Sequence, residues 1–359
     1  MVKYIGSKRA LLPGIVQAVA SVPNARTVLD LFSGTSRVGH ALKGRGYTVI
    51  ANDHNHYAHA LALCYVQADR EEVLPDADRL IRELRTLPGR PGYFTETFCI
   101  RSRFFHPKNG ERIDAIREEI AAKCLPEELE AVLLVSLMEA ADRVDSTTGL
   151  QMAYLKSWAP RASKDLELRV PELLPRSPYG KGTALCSEAA EAASSVECDV
   201  AYLDPPYNQH SYLANYHIWE TLVMWDKPPT YGVACKRVDC RERRSVFNSK
   251  PRFRAALADV IRRVRARVLV VSFNNEGYIS RDDLEQVLAE RGTVRVIENE
   301  HARYVGAKIG IYNPDGEKVG RVSHVRNTEF LFLVATDPAD CPSLPKPAVT
   351  PSAQLRLFG

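Results

Sequence analysis

The sequence has eight cysteines in 359 residues but no Cys-x-x-Cys pair. Zinc sites built on paired cysteines are therefore unsupported, and thiols scattered in this way in a reducing compartment do not make a disulfide framework. Cys235 and Cys240 are the nearest pair, and no second pair accompanies them. No apolar run approaches the ~20 residues of a membrane-crossing helix. The opening Met1-Val2-Lys3-Tyr4 lacks a secretory signal pattern. A cytoplasmic protein without a membrane partner is expected. Nor is there a large excess of one charge: 48 Lys and Arg against 44 Asp and Glu give +4, which permits a polyanionic partner without requiring one.

What is present is the make-up of an ordinary globular protein, 45% hydrophobic and 26% charged. The length allows a sizeable core, and one catalytic domain with an insertion fits it. The basic residues are uneven. Lys236, Arg237, Arg241, Arg243, Arg244, Lys250, Arg252 and Arg254 crowd one segment, which suits contact with phosphates as well as it suits a solvated face.

The stretch Asp204-Pro205-Pro206-Tyr207 follows Asp199-Val200-Ala201-Tyr202-Leu203, a short buried strand. Two prolines can neither extend a sheet nor start a helix at once, so the chain beyond Asp204 is a stiff turn. That turn presents a carboxylate and carbonyls at the carboxyl end of a strand, where open α/β sheets bind ligands. An acceptor-rich corner beside the flat face of Tyr207 suits the exocyclic amine of a nucleobase. The plain alternative is a Pro-rich strand end with a structural tyrosine.

Upstream, Lys3 to Arg9 places lysines around Gly6 ahead of an apolar helical stretch at 11–20, an arrangement that can face an anion. Next, the apolar strand Thr27-Val28-Leu29-Asp30-Leu31 runs into Phe32-Ser33-Gly34-Thr35-Ser36 and a helix, the first βα unit of a nucleotide-binding sheet. The loop lacks the Lys-Ser/Thr of a phosphate loop, which disfavours nucleoside triphosphates, and Ser36 stands where a glycine is commoner. A second strand at 47–51 ends at Asn52-Asp53, the distance of about twenty residues at which a carboxylate takes ribose hydroxyls; Asp53 also suits a helix cap.

From about 66 to 181 helix-like segments dominate, at 76–87, 111–123 and 127–145. Phe94, Phe98, Arg101, Arg103, Phe104 and Phe105 between them fit either base stacking with phosphate contact or a small core with a basic rim. Strands resume at 183–186, 199–203, 268–273, 293–298 and 328–334, with an Ala-rich helix after Ser187-Glu188 and another at 253–265. A hairpin is signalled by Asn313-Pro314-Asp315-Gly316, and the Pro-rich tail beyond Asp337 is expected to be unfolded.

Taken together, the order Lys-Tyr-Ile-Gly-Ser-Lys, Asp-Leu-Phe-Ser-Gly-Thr, Asp53, a helical insertion and Asp-Pro-Pro-Tyr resembles the alpha-class, Dam-type adenine-N6 DNA methyltransferases. The runs from Thr148 to Lys156, Asn208 to Glu220 and Ser272 to Gly277 add to the likeness, which covers most of residues 1–335. The resemblance implies an α/β, class I S-adenosylmethionine-dependent fold: a Rossmann-like, seven-stranded, mostly parallel sheet with a helical insertion. Residues 1–65 and 182–336 would be catalytic, 66–181 would be the target-reading insertion, and 337–359 a tail. Tyr4 and Lys8 would contact the cofactor. Asp30, Phe32, Ser33, Gly34 and Thr35 would wrap its methionine part, Asp53 would hold its ribose, and Ser187 would lie near its adenine. Asp204, also beside the cofactor, would act with Pro205, Pro206 and Tyr207 on an adenine turned out of double-stranded DNA, while Lys236, Arg237, Arg241, Arg243 and Arg244 would meet phosphates. A monomer with a cognate restriction nuclease as genetic partner is expected.

Overall fold

In the computed structural model the chain is described at residues 1–6, 8–275, 277–302, 311–312, 318–320 and 326–340. Seven strands form one sheet: β1 (Thr27–Asp30), β2 (Thr48–Asn52), β3 (Thr183–Leu185), β4 (Glu197–Leu203), β5 (Arg265–Asn274), β6 (Thr293–Ala302) and β7 (Arg326–Ala335), in the spatial order β3-β2-β1-β4-β5-β7-β6. The first five are parallel, and β7 runs antiparallel to both β5 and β6. This is the expected class I methyltransferase sheet. The chain winds outward from β1 in both directions, so a crevice opens beyond the carboxyl ends of β1 and β4. Asp30 pairs with Tyr202 there, which brings the ends of the two motifs side by side.

The central strands are apolar because both faces are covered. Alternate residues point to opposite sides. Leu29, Ala201, Leu269 and Val271 pack with the helices at Ala189–Ser195, Lys250–Arg263 and Arg281–Ala289, whereas Val28, Val200, Val268 and Val270 face α1 (Leu12–Ala20) and α2 (Arg37–Lys43).

A third core is helical. It gathers α3 (His56–Ala62), α4 (Arg70–Arg85), α5 (Pro107–Ala122), α6 (Glu127–Arg143) and, from beyond β4, α8 (His217–Met224), α7 being the Ala189–Ser195 helix. Every residue of α6 from Ala131 to Met138 is buried, so this helix is the middle of the layer. α4 begins at Arg70, six residues ahead of the expected start at 76, and carries Pro75 inside it. The Arg281–Ala289 helix was not anticipated, although Ser280 and Asp283 form a capping box legible in the sequence. Ile311–Tyr312 pairs with Lys318–Gly320 as the expected hairpin; its turn residues and the tail beyond 340 lie outside the described residues.

Candidate active site

One cleft of about 940 Å³, open to solvent, lies at the switch point. Its walls include Tyr4, Lys8, Asp30, Phe32, Ser33, Gly34, Thr35, Asp53, Ser187 and Asp204, so residues from five separate stretches of the chain converge there. Pro206 also lines it, while Pro205 is buried behind the turn.

The floor is the loop after β1. Gly34 takes a positive φ of 51° and packs so closely against Tyr4 that an added Cβ would stand 3.4 Å from its ring. Ser36 follows in the left-handed conformation with φ 56°, the backbone path that a glycine would adopt without strain. Asp53 spans the opening: Oδ2 accepts the Gly34 N–H at 3.1 Å, and Oδ1 accepts the backbone and side-chain N–H groups of Asn55 at 2.9 and 3.0 Å. Asn52 holds the third wall by exchanging hydrogen bonds with the backbone of Ser187. Ser33 Oγ and Asn55 Oδ1 are buried and lack hydrogen-bond partners among the described residues. Orphaned polar atoms facing a cleft are what a polar ligand such as an amino acid–nucleoside conjugate would satisfy; the residues fit S-adenosylmethionine.

At the lip, Asp204 is fixed by charge and hydrogen bonding. Lys8 Nζ lies 3.0 Å from its Oδ1 and 3.6 Å from Glu329 Oε2, and Ser272 Oγ donates to the same Oδ1 at 2.9 Å. Ser272 is placed in turn by Tyr202, hydroxyl to hydroxyl at 2.9 Å. Burial works to lower the Lys8 pKa, but the negative charge of Asp204 and the further pull of Tyr207, Tyr202 and Glu329 outweigh it, and the ammonium is held well above its ordinary value. Tyr207 leans on Phe273 edge to face at 5.3 Å, its hydroxyl accepts the Asn274 side-chain N–H at 3.0 Å, and Lys8 Nζ sits 5.6 Å from its ring centre. Tyr4 is sandwiched between Tyr212 and Tyr216 at 5.2 and 4.5 Å.

The basic segment departs from the expectation of a row of phosphate contacts. Arg237 is buried and clamped on Asp226 at 2.7 Å and Asp239 at 3.0 Å, so its charge is spent inside the fold. Arg243 pairs with the buried Glu220 at 2.9 Å and lines the cleft. Arg241 lies over the Tyr231 ring at 3.9 Å. Arg244 is exposed, and Lys236 is half-buried. Phe94, Phe98, Phe104 and Phe105 are fully buried in the helical core, which decides for a core and against base stacking.

The sequence pattern of the D12 class N6 adenine-specific DNA methyltransferases matches residues 4–266. The chain belongs to that family. Relatives include Type II methyltransferase M.NlaIII of Neisseria lactamica, 29% identical over an alignment of 343 residues that covers 92% of this chain and 97% of that protein. Type II methyltransferase M.CviAII of Paramecium bursaria Chlorella virus 1 is 27% identical, over 92% and 97% respectively. The modification methylase StsI of Streptococcus sanguinis is 29% identical over 84% of this chain, which spans about half of that protein, 48%. As a D12-class enzyme the chain methylates adenine N6 in DNA, and the methyl donor implied by the family is S-adenosylmethionine. Among the described residues no helix is long and apolar enough to cross a membrane.

Sequence reasoning did not single out Ser272 or Glu329 in this D12-class site. Only the order of neighbouring strands brings Ser272 to Asp204 and Glu329 to Lys8. The Ser-Phe-Asn-Asn run at the end of β5 was a usable signal for Ser272, while Glu329 in β7 had none.

Proposed function

We propose that this enzyme binds S-adenosylmethionine in the cleft described above and delivers its methyl group to an adenine turned out of a specific double-stranded DNA sequence. The observation that carries the reading is Asp204, held at the lip of the cleft by Lys8 and Ser272.

Bound S-adenosylmethionine supplies an electrophilic methyl on a sulfonium. Adenine N6 is a weak nucleophile because its lone pair is delocalised into the ring. Lys8 and Ser272 both engage Oδ1 of Asp204, so Oδ2 is the oxygen that accepts one amino proton; the Pro205 carbonyl accepts the other. Fixed acceptors favour a pyramidal nitrogen and stabilise the positive charge growing on it. Because Lys8 and Ser272 already hold the carboxylate, little reorganisation is needed when the base arrives. Tyr207, braced by Phe273 and Asn274, is the plate on which the turned-out base stacks, a contact worth ~1–3 kcal/mol toward extrusion. Ser33, Gly34 and Thr35 hold the methionine end of the donor, Tyr4 and Lys8 flank it, Asp53 takes the ribose and Ser187 borders the adenine.

The helical layer within 66–181 reads the target, while 1–65 and 182–336 carry the chemistry. Its loop from Thr147 to Tyr154, closed by a bridge between those residues and bearing the exposed Met152, suits a groove contact. Arg244, Arg241 and Lys236 are the basic residues that remain for phosphates. The relatives' names, Type II and modification methylases, support an enzyme paired genetically with a restriction nuclease, and a cytoplasmic monomer completes the proposal.

Asp204→Ala tests the core of this reading. Transfer of a radiolabelled methyl group to DNA should fall to background while calorimetric binding of S-adenosylhomocysteine survives, and mass analysis of wild-type product nucleosides should give N6-methyladenine. Near wild-type turnover in the variant would remove Asp204 from the mechanism.

A further inference from the structure

The basic segment and the cleft meet at Arg243. Its guanidinium touches Glu220 at 2.9 Å and Asp239 at 3.3 Å while the residue lines the cleft. Glu220 is fully buried on α8, and its two oxygens accept the backbone N–H groups of His56 at 3.3 Å and Tyr57 at 3.0 Å. These begin α3, where N–H groups have no partner within the helix. Directly before them stands Asn55, whose own N–H groups hold Asp53. The start of α3 therefore cannot shift without moving the carboxylate that closes on Gly34.

We propose that Glu220 and Arg243 are positioning residues for the cofactor: the pair fixes the Asp53–Asn55 turn from behind, and Arg243 serves cofactor affinity instead of meeting DNA phosphate. The inference rests on the cleft being the S-adenosylmethionine site. A carboxylate buried as deeply as Glu220 needs a charged partner, and Arg243 is that partner. Asp239 bridges onward to Arg237, which also grips Asp226. The two guanidinium groups are thus matched by three carboxylates, which leaves no net positive charge here to attract a phosphate. The geometry also gives the link a direction: Glu220 reaches α3 from an element that follows Asp204 in the chain, so the two halves of the site are tied through it.

The test is binding of S-adenosylhomocysteine by calorimetry to wild type, Arg243→Ala, Arg243→Lys, Glu220→Gln and the Arg243→Ala/Glu220→Gln double variant, below each one's melting temperature. The salt dependence of DNA binding is followed in parallel. Arg243→Ala should weaken S-adenosylhomocysteine about tenfold with the DNA salt slope unchanged. Arg243→Lys should recover most of the affinity, and the double variant should be no weaker than the single one, because both changes break one link. Full S-adenosylhomocysteine affinity with a salt slope reduced by about one would make Arg243 a phosphate contact and overturn the proposal. If Arg243→Ala does not fold, wild-type affinity in Glu220→Gln overturns it equally. A wild type that binds no S-adenosylhomocysteine sinks the reading of the cleft itself, an outcome distinct from a loss confined to the variants.

Discussion

Replacing Asp30 by asparagine isolates the charge of one buried carboxyl. Asp30 ends β1, is 1% exposed and accepts the Gly39 N–H at 3.1 Å. Burial raises its pKa, the Gly39 hydrogen bond opposes the rise, and the negative charges of Asp204 and Asp53 add to it, so that the group moves from 3.8 to about 7. The folded pKa lies above the unfolded one, so between these values the native state keeps a proton that the unfolded chain has lost. Stability from this group is therefore whole below about pH 4, declines as the pH rises to about 7 and is level beyond. At ~1.4 kcal/mol for each pH unit, the loss reaches ~4 kcal/mol. Asparagine keeps the shape and an acceptor for Gly39 but cannot ionise. The unfolding free energy of Asp30→Asn minus that of wild type should thus grow by ~4 kcal/mol from pH 4 to pH 8 in urea titrations followed by circular dichroism. Taking the difference removes the share of other groups such as Asp142, lifted to about 6 mainly by burial. A difference flat across that range would refute the reasoning. The same carboxyl borders a cleft that suits a cationic donor, so wild type near pH 7 should release protons on binding S-adenosylmethionine, and the variant should not.

Ser36→Gly should be neutral or stabilising by up to ~1 kcal/mol in the same unfolding assay, because the residue holds a left-handed backbone with φ 56° and its buried hydroxyl lacks a partner among the described residues. Ser36→Val should be clearly destabilising; the reverse order would mean that the hydroxyl is essential. Arg237→Ala should cost ~1–3 kcal/mol, because Asp226 and Asp239 lose their shared cation but stay partly solvated and Asp239 keeps Arg243, with no effect on the salt dependence of DNA binding. Arg244→Ala should leave stability within ~0.5 kcal/mol and lower the salt slope by about one. Equal effects of the two on DNA binding would restore the whole segment as a phosphate track.

The contrast between those two arginines marks what the sequence could carry. Strand ends and their order were legible, because a parallel sheet covered on both faces writes its strands as apolar runs and its ligand loops as the breaks after them. Asp30, Asp53 and Asp204 therefore fell into one cleft as expected. Charge partners were not legible: Asp239 lies among the arginines but Glu220 and Asp226 lie upstream of them, and only the packing of α8 reveals which cations are neutralised. Nor could local composition tell that Phe94, Phe98, Phe104 and Phe105 turn inward, since aromatic and basic residues alternate in cores with polar rims as well as in stacking surfaces. Glu329 lies beyond any local signal, being set beside Lys8 only by the insertion of β7 next to β5.

That insertion bears on how the enzyme comes into being on the ribosome. Lys8 is among the first residues made and Glu329 among the last of the sheet, yet the Glu329 carboxylate stands 3.6 Å from the Lys8 ammonium. A nascent chain that has emerged only through β5 already carries the turn at Asp204 but lacks one of the two carboxylates that steady Lys8. A product truncated after β5 keeps the Asp204 contact to Lys8 and loses only the longer one, so its methyl transfer to DNA should fall below that of the full chain.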